Sequence, residues 1–370
     1  MQSSSTDVFV VGAGPAGVAA ALAAARAGMR VVVADGSAPP IDKACGEGLM
    51  PDSIAALAQL GVSLDGVPSA EFHGIRFVER GKVAEAKFPD GVGRGVRRTV
   101  LHPLLLEHAE RAGVSFRWRT VVRSVEGDRL AMPGAEVRAR WIVGADGHQS
   151  RVRRWAGLEA GKLSSQRIGL RQHFAVQPWS SFVEVYWCDK GQAYVTPVAH
   201  DEICVAFLAR EKFSSVAEAL AHFPELASRL AGVAASDTPR GAVSLVKQLR
   251  SVARGQVALI GDASGSVDAI TGEGMAIGFR QAVALAEAMV AGDLSRYQAA
   301  HRQIGQLPRF MSQGMLMMDR QRLVRRQVLR ALTRKPALFA RMMQVHVGHV
   351  PLRLLGETGL LRLGAGLLTA

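Results

Sequence analysis

The hydrophobic positions along the chain follow three successive patterns, and each pattern predicts a different kind of structure. In residues 1–164, short apolar runs alternate with stretches of helical spacing, which is typical of strand–helix units around a parallel sheet. In residues 165–250, apolar and polar residues alternate over long stretches, as in antiparallel strands. The first pattern returns in residues 251–292, and residues 293–370 have helical spacing throughout. We therefore expect an α/β protein, divided at these boundaries, with an inserted antiparallel sheet and a helical C-terminus.

The same pattern predicts individual elements. Apolar residues that recur every three or four positions predict helices near residues 53–60, 98–109, 215–230 and 276–290. Alternating residues predict strands over residues 168–176, 182–187, 193–197 and 203–208.

The first apolar run ends in a glycine turn that carries the clearest chemistry of the chain. Gly12 allows a tight turn, Gly14 lets a pyrophosphate approach the backbone, and Gly17 lets the following helix pack closely on the sheet. Free N–H groups at the helix start can bind phosphates. Asp35 ends the second strand, where a carboxylate can accept both hydroxyls of an adenosine ribose. The pattern predicts a dinucleotide site; a merely tight strand–helix turn is the alternative.

Two later stretches repeat the arrangement of a buried strand followed by a turn. One strand leads to Asp146 and Gly147, and another leads to Gly261 and Asp262, ahead of a further glycine turn at residues 271–275. Both stretches suit a phosphate-bearing ligand at the carboxyl ends of parallel strands.

The loop that follows Asp35 is another candidate ligand contact. Cys45 and Glu47 alternate there with Gly46 and Gly48, so the backbone can come close to a ligand. An ordinary polar loop is the alternative interpretation.

Cysteine use and hydropathy narrow the class of protein. The three cysteines are widely spaced and form no CxxC pair, which argues against a disulfide framework and a zinc site and favours a cytoplasmic, reducing compartment. No motif of metal-binding residues stands out, so no metal is expected. We find no secretory signal and no uncharged apolar run of about 18 residues, so no ordinary membrane span is expected.

The net charge of the chain is +13, and much of the positive charge lies late in the sequence. Residues 309–341 contain nine lysines and arginines but only one acid, Asp319. Nucleic acid is not expected as a partner, because zinc-finger spacing and interleaved aromatic residues are both absent. Arginines are combined with apolar residues at 323–329 and 352–368. These helices are expected to cap the first domain with a solvated basic face; peripheral contact with the inner face of a membrane is the alternative.

Taken together, the three motifs and the helix that begins Arg98-x-x-Leu101 resemble those of group A FAD-dependent oxidoreductases, the class of aromatic hydroxylases, geranylgeranyl reductases and flavin-dependent halogenases. The resemblance implies a Rossmann-type FAD-binding domain of the GR2 type, like that of para-hydroxybenzoate hydroxylase, with strands near residues 71–87 on the substrate side. It implies FAD as the cofactor and NADPH or NADH as the electron donor.

The resemblance also implies the cofactor contacts. These are Gly12, Gly14, Pro15, Ala16, Gly17, Asp35, Arg98, Val121, Asp146, Gly147, Gly261, Asp262, Gly272, Gly274 and Met275. Asp262 would bind the ribityl chain, and the helix after residue 273 would direct its positive end at the flavin N1–C2=O edge.

Cys45, Glu47 and Tyr194 are the candidate catalytic residues. We expect Cys45 and Glu47 to face the Gly272 turn across the flavin, and burial to raise the pKa of Glu47 or Glu273 toward neutrality.

Two further residue groups on the substrate side have less specific patterns. His173 alternates with apolar neighbours and is expected to be structural, with catalysis as the alternative. The four methionines between residues 311 and 318 are expected to fill the core.

The sequence predicts the type of reaction less specifically than it predicts the cofactor. Residues 184–187 and 194–197 resemble bacterial FAD-dependent monooxygenase-like oxidoreductases, so we favour an NAD(P)H-dependent monooxygenase acting on a hydrophobic or aromatic small molecule. The Asn that hydroxylases carry after the last glycine turn is missing, whereas residues 43–48 and 272–274 resemble geranylgeranyl reductases. Reduction of C=C bonds in a lipid or polyketide is therefore the alternative. A membrane-surface electron-transfer flavoprotein is a second alternative, although cysteine spacing for an iron–sulfur cluster is absent.

Overall fold

The computed structural model describes residues 2–349. In chain order the strands are β1 (Gln2–Val11), β2 (Val31–Ala34), β3 (Gly48–Leu49), β4 (Ala70–Phe72), β5 (Gly74–Glu79), β6 (Lys82–Lys87), β7 (Gly93–Gly95), β8 (Ser115–Arg117), β9 (Ser124–Glu126), β10 (Arg129–Met132), β11 (Ala135–Gly144), β12 (Gly161–Phe174), β13 (Val183–Trp187), β14 (Gly191–Ala199), β15 (Glu202–Ala209), β16 (Arg240–Leu249), β17 (Ala253–Arg254) and β18 (Val257–Leu259). The helices are α1 (Pro15–Arg26), α2 (Pro51–Gln59), α3 (Arg98–Arg111), α4 (Arg151–Trp155), α5 (Val216–Ala221), α6 (Pro224–Arg229), α7 (Gly274–Val290), α8 (Leu294–Ile304), α9 (Gln306–Arg320), α10 (Arg322–Arg334) and α11 (Pro336–His346).

The first sheet has eight strands, and its central strands run parallel in the order β18-β11-β1-β2-β8. Val10 of β1 is fully buried and lies opposite Val33 on one side and Val143 on the other. Such an apolar run is expected where a parallel strand is covered on both faces. The small side chains of α1 let α7 cross it closely, since a Cβ on Gly278 would lie 3.1 Å from the Cβ of Ala16.

The second sheet has seven strands in the order β16-β12-β15-β14-β13-β5-β6. The predicted antiparallel sheet is confirmed for all neighbours except β13 and β5, which pair in parallel. Strand β5 ends at Glu79 and β13 begins at Val183, so a long stretch of chain separates them. Two parallel neighbours require a long crossover connection of this kind. The segment near residues 71–87 thus forms one edge of the second sheet.

The prediction of a single helix near residues 215–230 is wrong, because the structure has two short helices there, α5 and α6. Pro224 is the first residue of α6. A proline has no backbone N–H to continue α5, but it is favourable at the first position of a new helix.

The C-terminal helices α10 and α11 pack against β6, and α9 packs against α10. All three helices share a core with Phe77 and Trp187 of the second sheet. Among the residues that the structure describes, no helix is both long enough and apolar enough to cross a membrane. The basic and apolar stretch predicted over residues 352–368 lies outside the described residues.

Candidate active site

One large cavity lies where the carboxyl ends of the first sheet meet the second sheet and the C-terminal helices. Strands β1 and β2 reach it through Val11 and Ala34, and Ile260 follows the end of β18. Its volume is about 1210 Å³, which exceeds the roughly 300–1,000 Å³ of most pockets for single small ligands. The cavity therefore has room for a dinucleotide and a second molecule.

The first glycine turn forms one wall of the cavity, and its three glycines have different roles. Gly12 has a φ of +107°, and a Cβ there would lie 2.5 Å from the carbonyl oxygen of Ala145. A Cβ on Gly17 would lie 2.0 Å from the carbonyl oxygen of Gly12. A Cβ on Gly14 would meet no protein atom within 4 Å. Gly12 and Gly17 are therefore required by the fold, whereas Gly14 keeps space open in the cavity.

Asp35 lies at the cavity and also supports the turn. Its two carboxylate oxygens accept hydrogen bonds from the backbone N–H of Ala13 and of Ser37, both over 2.8 Å. The ring Nε2 of His102 lies 2.7 Å from the carbonyl oxygen of Ala13. The backbone between Gly12 and Gly14 is therefore held from both sides, and the sequence pattern did not indicate His102.

Two helix N-termini open into the cavity without a side-chain cap. Gly14 precedes α1 and Glu273 precedes α7, and neither helix start has a side-chain hydrogen bond to its free N–H groups. Gly272 and Gly274 at the start of α7 would likewise meet no protein atom with an added Cβ. Free N–H groups at the positive end of a helix bind anions. The residues present therefore fit an anionic dinucleotide.

The other two motifs line the same cavity but use their carboxylates differently. Asp146 caps α4, accepting hydrogen bonds from the backbone N–H of Arg151 over 2.7 Å and of Val152 over 3.2 Å. Asp262 lies 3.2 Å from Nε2 of His148 on the cavity wall, and its side chain is 40% exposed. The carboxylate of Asp146 therefore caps α4, whereas the carboxylate of Asp262 remains available to a ligand.

The glycine-rich loop places Cys45 and Glu47 on the cavity wall. The backbone N–H of Glu47 donates to Sγ of Cys45 over 3.4 Å, and burial raises the pKa of the Cys45 thiol. Glu47 has a φ of +59°, in the left-handed region that non-glycine residues seldom adopt, and it is 2% exposed. Its carboxylate accepts from the backbone N–H of Arg98 over 2.9 Å, which links the loop to the start of α3.

Tyr194 contributes to the opposite wall from strand β14. Its hydroxyl donates to the carbonyl oxygen of Ile270 over 2.9 Å, and burial raises its pKa above the ordinary value. Glu184 and Tyr186, on the neighbouring strand, point away from the cavity and hydrogen-bond each other over 2.7 Å.

The C-terminal helices form an apolar part of the cavity wall, which we call the apolar chamber. We define the apolar chamber by Met311, Met315, Met318, Leu332, Phe339 and Met343. All four methionines between residues 311 and 318 line the cavity, so the expectation that they fill the core holds only for Met318, which is 5% exposed. The sequence pattern did not indicate that α9, α10 and α11 would line the cavity.

Glu273 lies outside the cavity wall, although its neighbours on both sides line it. It is 1% exposed, and its carboxylate packs near Asp52 of α2, Arg280 of α7 and His346 of α11. Burial, with the charge of Asp52, raises the pKa of Glu273 to about 8. Glu273 therefore has the predicted pKa near neutrality, but its side chain does not line the cavity.

The donor atoms of Glu47, His173 and Cys204 lie within 4.8 Å of one another, a separation that could accommodate a metal ion. The guanidinium of Arg171 lies 2.9 Å from Nδ1 of His173, however, and a fixed positive charge at that distance opposes a bound cation.

Comparison with known proteins identifies the family. Residues 5–293 match the family described as FAD binding domain. The chain belongs to this family. Its relatives include the menaquinone reductase of Mycolicibacterium smegmatis, 28% identical over 80% of this chain and 78% of that protein. Another is digeranylgeranylglycerophospholipid reductase 1 of Methanothermobacter thermautotrophicus, 27% identical over 82% of this chain and 81% of that protein.

The fold of the flavoprotein is shared with p-nitrophenol 4-monooxygenase of Pseudomonas putida DLL-E4, at a TM-score of 0.79 and 21% identity, over 94% of this chain and 97% of that one. The predicted Rossmann-type fold and the resemblance to FAD-dependent oxidoreductases are thus confirmed. The protein is an FAD-dependent oxidoreductase, and FAD is its cofactor.

The predicted FAD contacts stay predictions, and the structure brings all but Gly17 to the cavity wall. These are Gly12, Gly14, Pro15, Ala16, Asp35, Arg98, Val121, Asp146, Gly147, Gly261, Asp262, Gly272, Gly274 and Met275. Lys43 and His148 also lie on that wall and were not predicted; both approach Asp262, with Nζ of Lys43 at 3.4 Å. Only the position of His148 directly after the Asp146-Gly147 turn could have indicated it.

Proposed function

We propose that this flavoprotein reduces C=C bonds in the prenyl chain of a lipid, with NADPH or NADH as the electron donor. The observation that carries the proposal is the apolar chamber, which continues the flavin cavity between the C-terminal helices. Among the described residues of α9, α10 and α11 that line the cavity, only Gln313 and His346 have polar side chains.

This lining suits a long hydrocarbon better than a compact aromatic substrate. Pockets for small polar molecules hold them through a few well-placed polar groups. Methionine side chains are unbranched and flexible, so they adapt to a chain that has many conformations. Curated relatives that share about four fifths of the chain are named as a menaquinone reductase and a digeranylgeranylglycerophospholipid reductase, which supports the same substrate class.

Bound FAD supplies the hydride for such a reduction in its reduced form. The second carbon of the double bond needs a proton, and Cys45 is the group we assign to donate it from Sγ. Burial raises the pKa of this thiol, so it stays protonated at neutral pH until it is used. The backbone N–H of Glu47 donates to the same sulfur and stabilises the thiolate that remains.

Hydroxylation of a hydrophobic or aromatic small molecule, favoured from the sequence, is the second candidate. The fold shared with p-nitrophenol 4-monooxygenase is compatible with it. A monooxygenase consumes O2 in step with product, whereas a reductase works without O2. Electron transfer to a quinone at a membrane surface, the third candidate, would leave the carbon skeleton of the quinone side chain unchanged.

The deciding experiment is an anaerobic incubation of the reduced holoenzyme with menaquinone or with a geranylgeranyl lipid, followed by mass spectrometry. The proposal expects a product that has gained two hydrogen atoms for each reduced bond. A product that gains one oxygen atom, formed only in air, would establish the monooxygenase instead. Cys45→Ala is expected to slow the reduction by about 10²–10⁴-fold while FAD stays bound. Cys188→Ala is the matched control, since Cys188 does not line the cavity.

We further propose that the flavoprotein takes its lipid from a membrane surface. The mouth of the cavity carries Phe310 and Met317, which are 43% and 48% exposed, and Leu323 nearby is 75% exposed. Exposed arginines Arg320 and Arg330 lie on the same two helices. Apolar and cationic side chains on one surface favour binding to anionic lipid without insertion across it.

A further inference from the structure

A buried histidine lies between two carboxylates next to the proposed proton donor. Nε2 of His173 is 2.6 Å from a carboxylate oxygen of Glu47, and Nδ1 is 2.7 Å from a carboxylate oxygen of Asp237. His173 is fully buried, and Glu47 is 2% exposed. Glu47 lines the cavity beside Cys45, so the three groups lead from the cavity wall into the second sheet.

The geometry of this arrangement is held by the backbone. Asp237 accepts a second hydrogen bond, over 2.9 Å, from the backbone N–H of His173, which fixes the carboxylate against strand β12. The other oxygen of Glu47 is held by the backbone N–H of Arg98. Because Glu47 adopts a left-handed φ that is costly for a glutamate, its position depends on these bonds. Each ring nitrogen of His173 lies close to a carboxylate oxygen, which favours the imidazolium, whereas the guanidinium of Arg171, 2.9 Å from Nδ1, opposes it.

The outer end of the arrangement reaches solvent. The side chain of Asp237 is 20% exposed, and this residue does not line the cavity. It also accepts from Arg171 over 2.6 Å and lies 3.4 Å from Arg97, whose side chain is 27% exposed. Glu47, the imidazole and Arg171, which itself lines the cavity, therefore lie between Asp237 and the cavity.

We infer that Glu47, His173 and Asp237 form a path along which protons from solvent reach the cavity wall. The inference rests on the proposed function, since a prenyl chain in the cavity would exclude water from Cys45. After Cys45 gives its proton to the substrate, the thiolate takes one proton from the Glu47–His173 pair. One proton from solvent returns to that pair on the Asp237 side. No electrons move along this path, and one proton enters for each proton delivered.

The charges around the imidazole agree with such a role. Burial opposes the charged ring, but the hydrogen bonds and charges of Glu47 and Asp237 outweigh it and raise the pKa of His173. The charge of Arg97 limits that rise. The groups that face or surround the ring are Glu47, Cys204, Arg97, Arg171 and Asp237, with Asp42 and Glu202 behind the two guanidiniums.

Asp237→Asn tests the path against a purely structural role, because the amide keeps the size of the side chain but cannot carry a proton. We expect kcat to fall at least about tenfold, with KM nearly unchanged and FAD retained. Added formate should restore part of the rate in Asp237→Ala. Asp42→Asn is the matched control: it removes a carboxylate from the same charged cluster without touching the imidazole, and it should leave kcat unchanged. An equal loss in both variants would overturn the proton path.

A second measurement does not require turnover. The rate at which iodoacetamide alkylates Cys45, followed against pH by mass spectrometry, reports the protonation of the thiol. In Asp237→Asn the ring is neutral more often, the negative charge of Glu47 is less compensated, and the midpoint should rise by about one pH unit. If Asp237→Asn does not fold, His173→Gln is used, because its amide can still bridge the carboxylates. An unchanged midpoint in the folded variant overturns the path, whereas failure of the wild-type protein to reduce any lipid bears only on the proposed function.

Discussion

Nδ1 of His346 lies 3.9 Å from a carboxylate oxygen of Glu273, and neither atom has a hydrogen-bond partner in the described part of the chain. Glu273 precedes α7 at the flavin turn, and His346 ends α11, so the contact joins the first domain to the C-terminal helices. Burial raises the pKa of Glu273 to about 8 and lowers that of His346. At neutral pH the two side chains therefore meet as a carboxylic acid and a neutral imidazole.

We predict that Glu273 makes stability fall as pH rises, whereas the lowered pKa of His346 acts in the opposite direction at lower pH. The folded pKa of Glu273, about 8, lies above its ordinary value of 4.5, so the folded state binds the proton more tightly than the unfolded state. The resulting stabilisation is complete below about pH 4.5 and is lost as pH rises through about 8. Thermal unfolding between about pH 5 and 9 should show a smaller decrease of Tm for Glu273→Gln than for the wild type. Parallel curves for the two proteins would contradict the assigned pKa.

We predict that Gly14→Val abolishes retention of FAD without unfolding the protein. Gly14 has a φ of −67° and a ψ of 170°, which any residue can adopt, and an added Cβ meets no protein atom within 4 Å. The side chain would therefore occupy the space that the pyrophosphate needs. Flavin absorbance after gel filtration, with circular dichroism to confirm folding, measures the effect. Gly241→Val is the control, since an added Cβ there would lie 3.9 Å from the nearest atom and Gly241, on β16, does not line the cavity. A Gly14→Val protein that remains fully yellow would exclude this turn from the site.

Arg325 was grouped with the basic face of the C-terminal helices, and for this residue that prediction is wrong. Its side chain is 1% exposed, and it donates to Glu79 over 2.7 Å and to Asp189 over 2.6 Å. We predict that Arg325→Ala lowers the free energy of unfolding by about 3–5 kcal/mol, because it leaves the buried carboxylate of Glu79 unpaired. Arg326→Ala, on the next and more exposed position, should change it by less than about 0.5 kcal/mol. Urea unfolding of both variants measures the difference, and similar values for the two would contradict the assigned ion pair.

We predict that the protein binds to anionic lipid vesicles. Liposome flotation should show the wild-type protein on anionic vesicles and less of it on neutral vesicles or at high salt. Leu323→Glu should remove most of the bound fraction, because it places a negative charge in the exposed apolar surface near the cavity mouth. Val290→Glu is the control, since Val290 is 62% exposed on α7, away from that surface. A wild-type protein that does not float at low salt would end the membrane proposal.

The local chemistry of this protein could be predicted from its sequence. The turn depends on the backbone freedom of Gly12 and on the space that Gly14 leaves open, and the alternation of apolar residues marks strands directly. Asp35 follows its strand at a spacing that the turn geometry sets. These features involve contacts between residues near one another in the chain, or between adjacent strands, so the pattern of residue types is sufficient to indicate them.

Only the tertiary structure decided what lies around that turn. His173 and Asp237 are separated by more than sixty positions, and the residues around each give no sign that the two side chains meet. Arg325 and Arg326 are alike in sequence, yet docking of α10 on β6 buries one and leaves the other more exposed. Methionine and leucine patterns predict an apolar helix face, but whether that face fills a core or lines a cavity depends on the space left by the opposite wall. Burial and pairing of this kind arise when distant elements pack together, and they determine the substrate chamber of this flavoprotein.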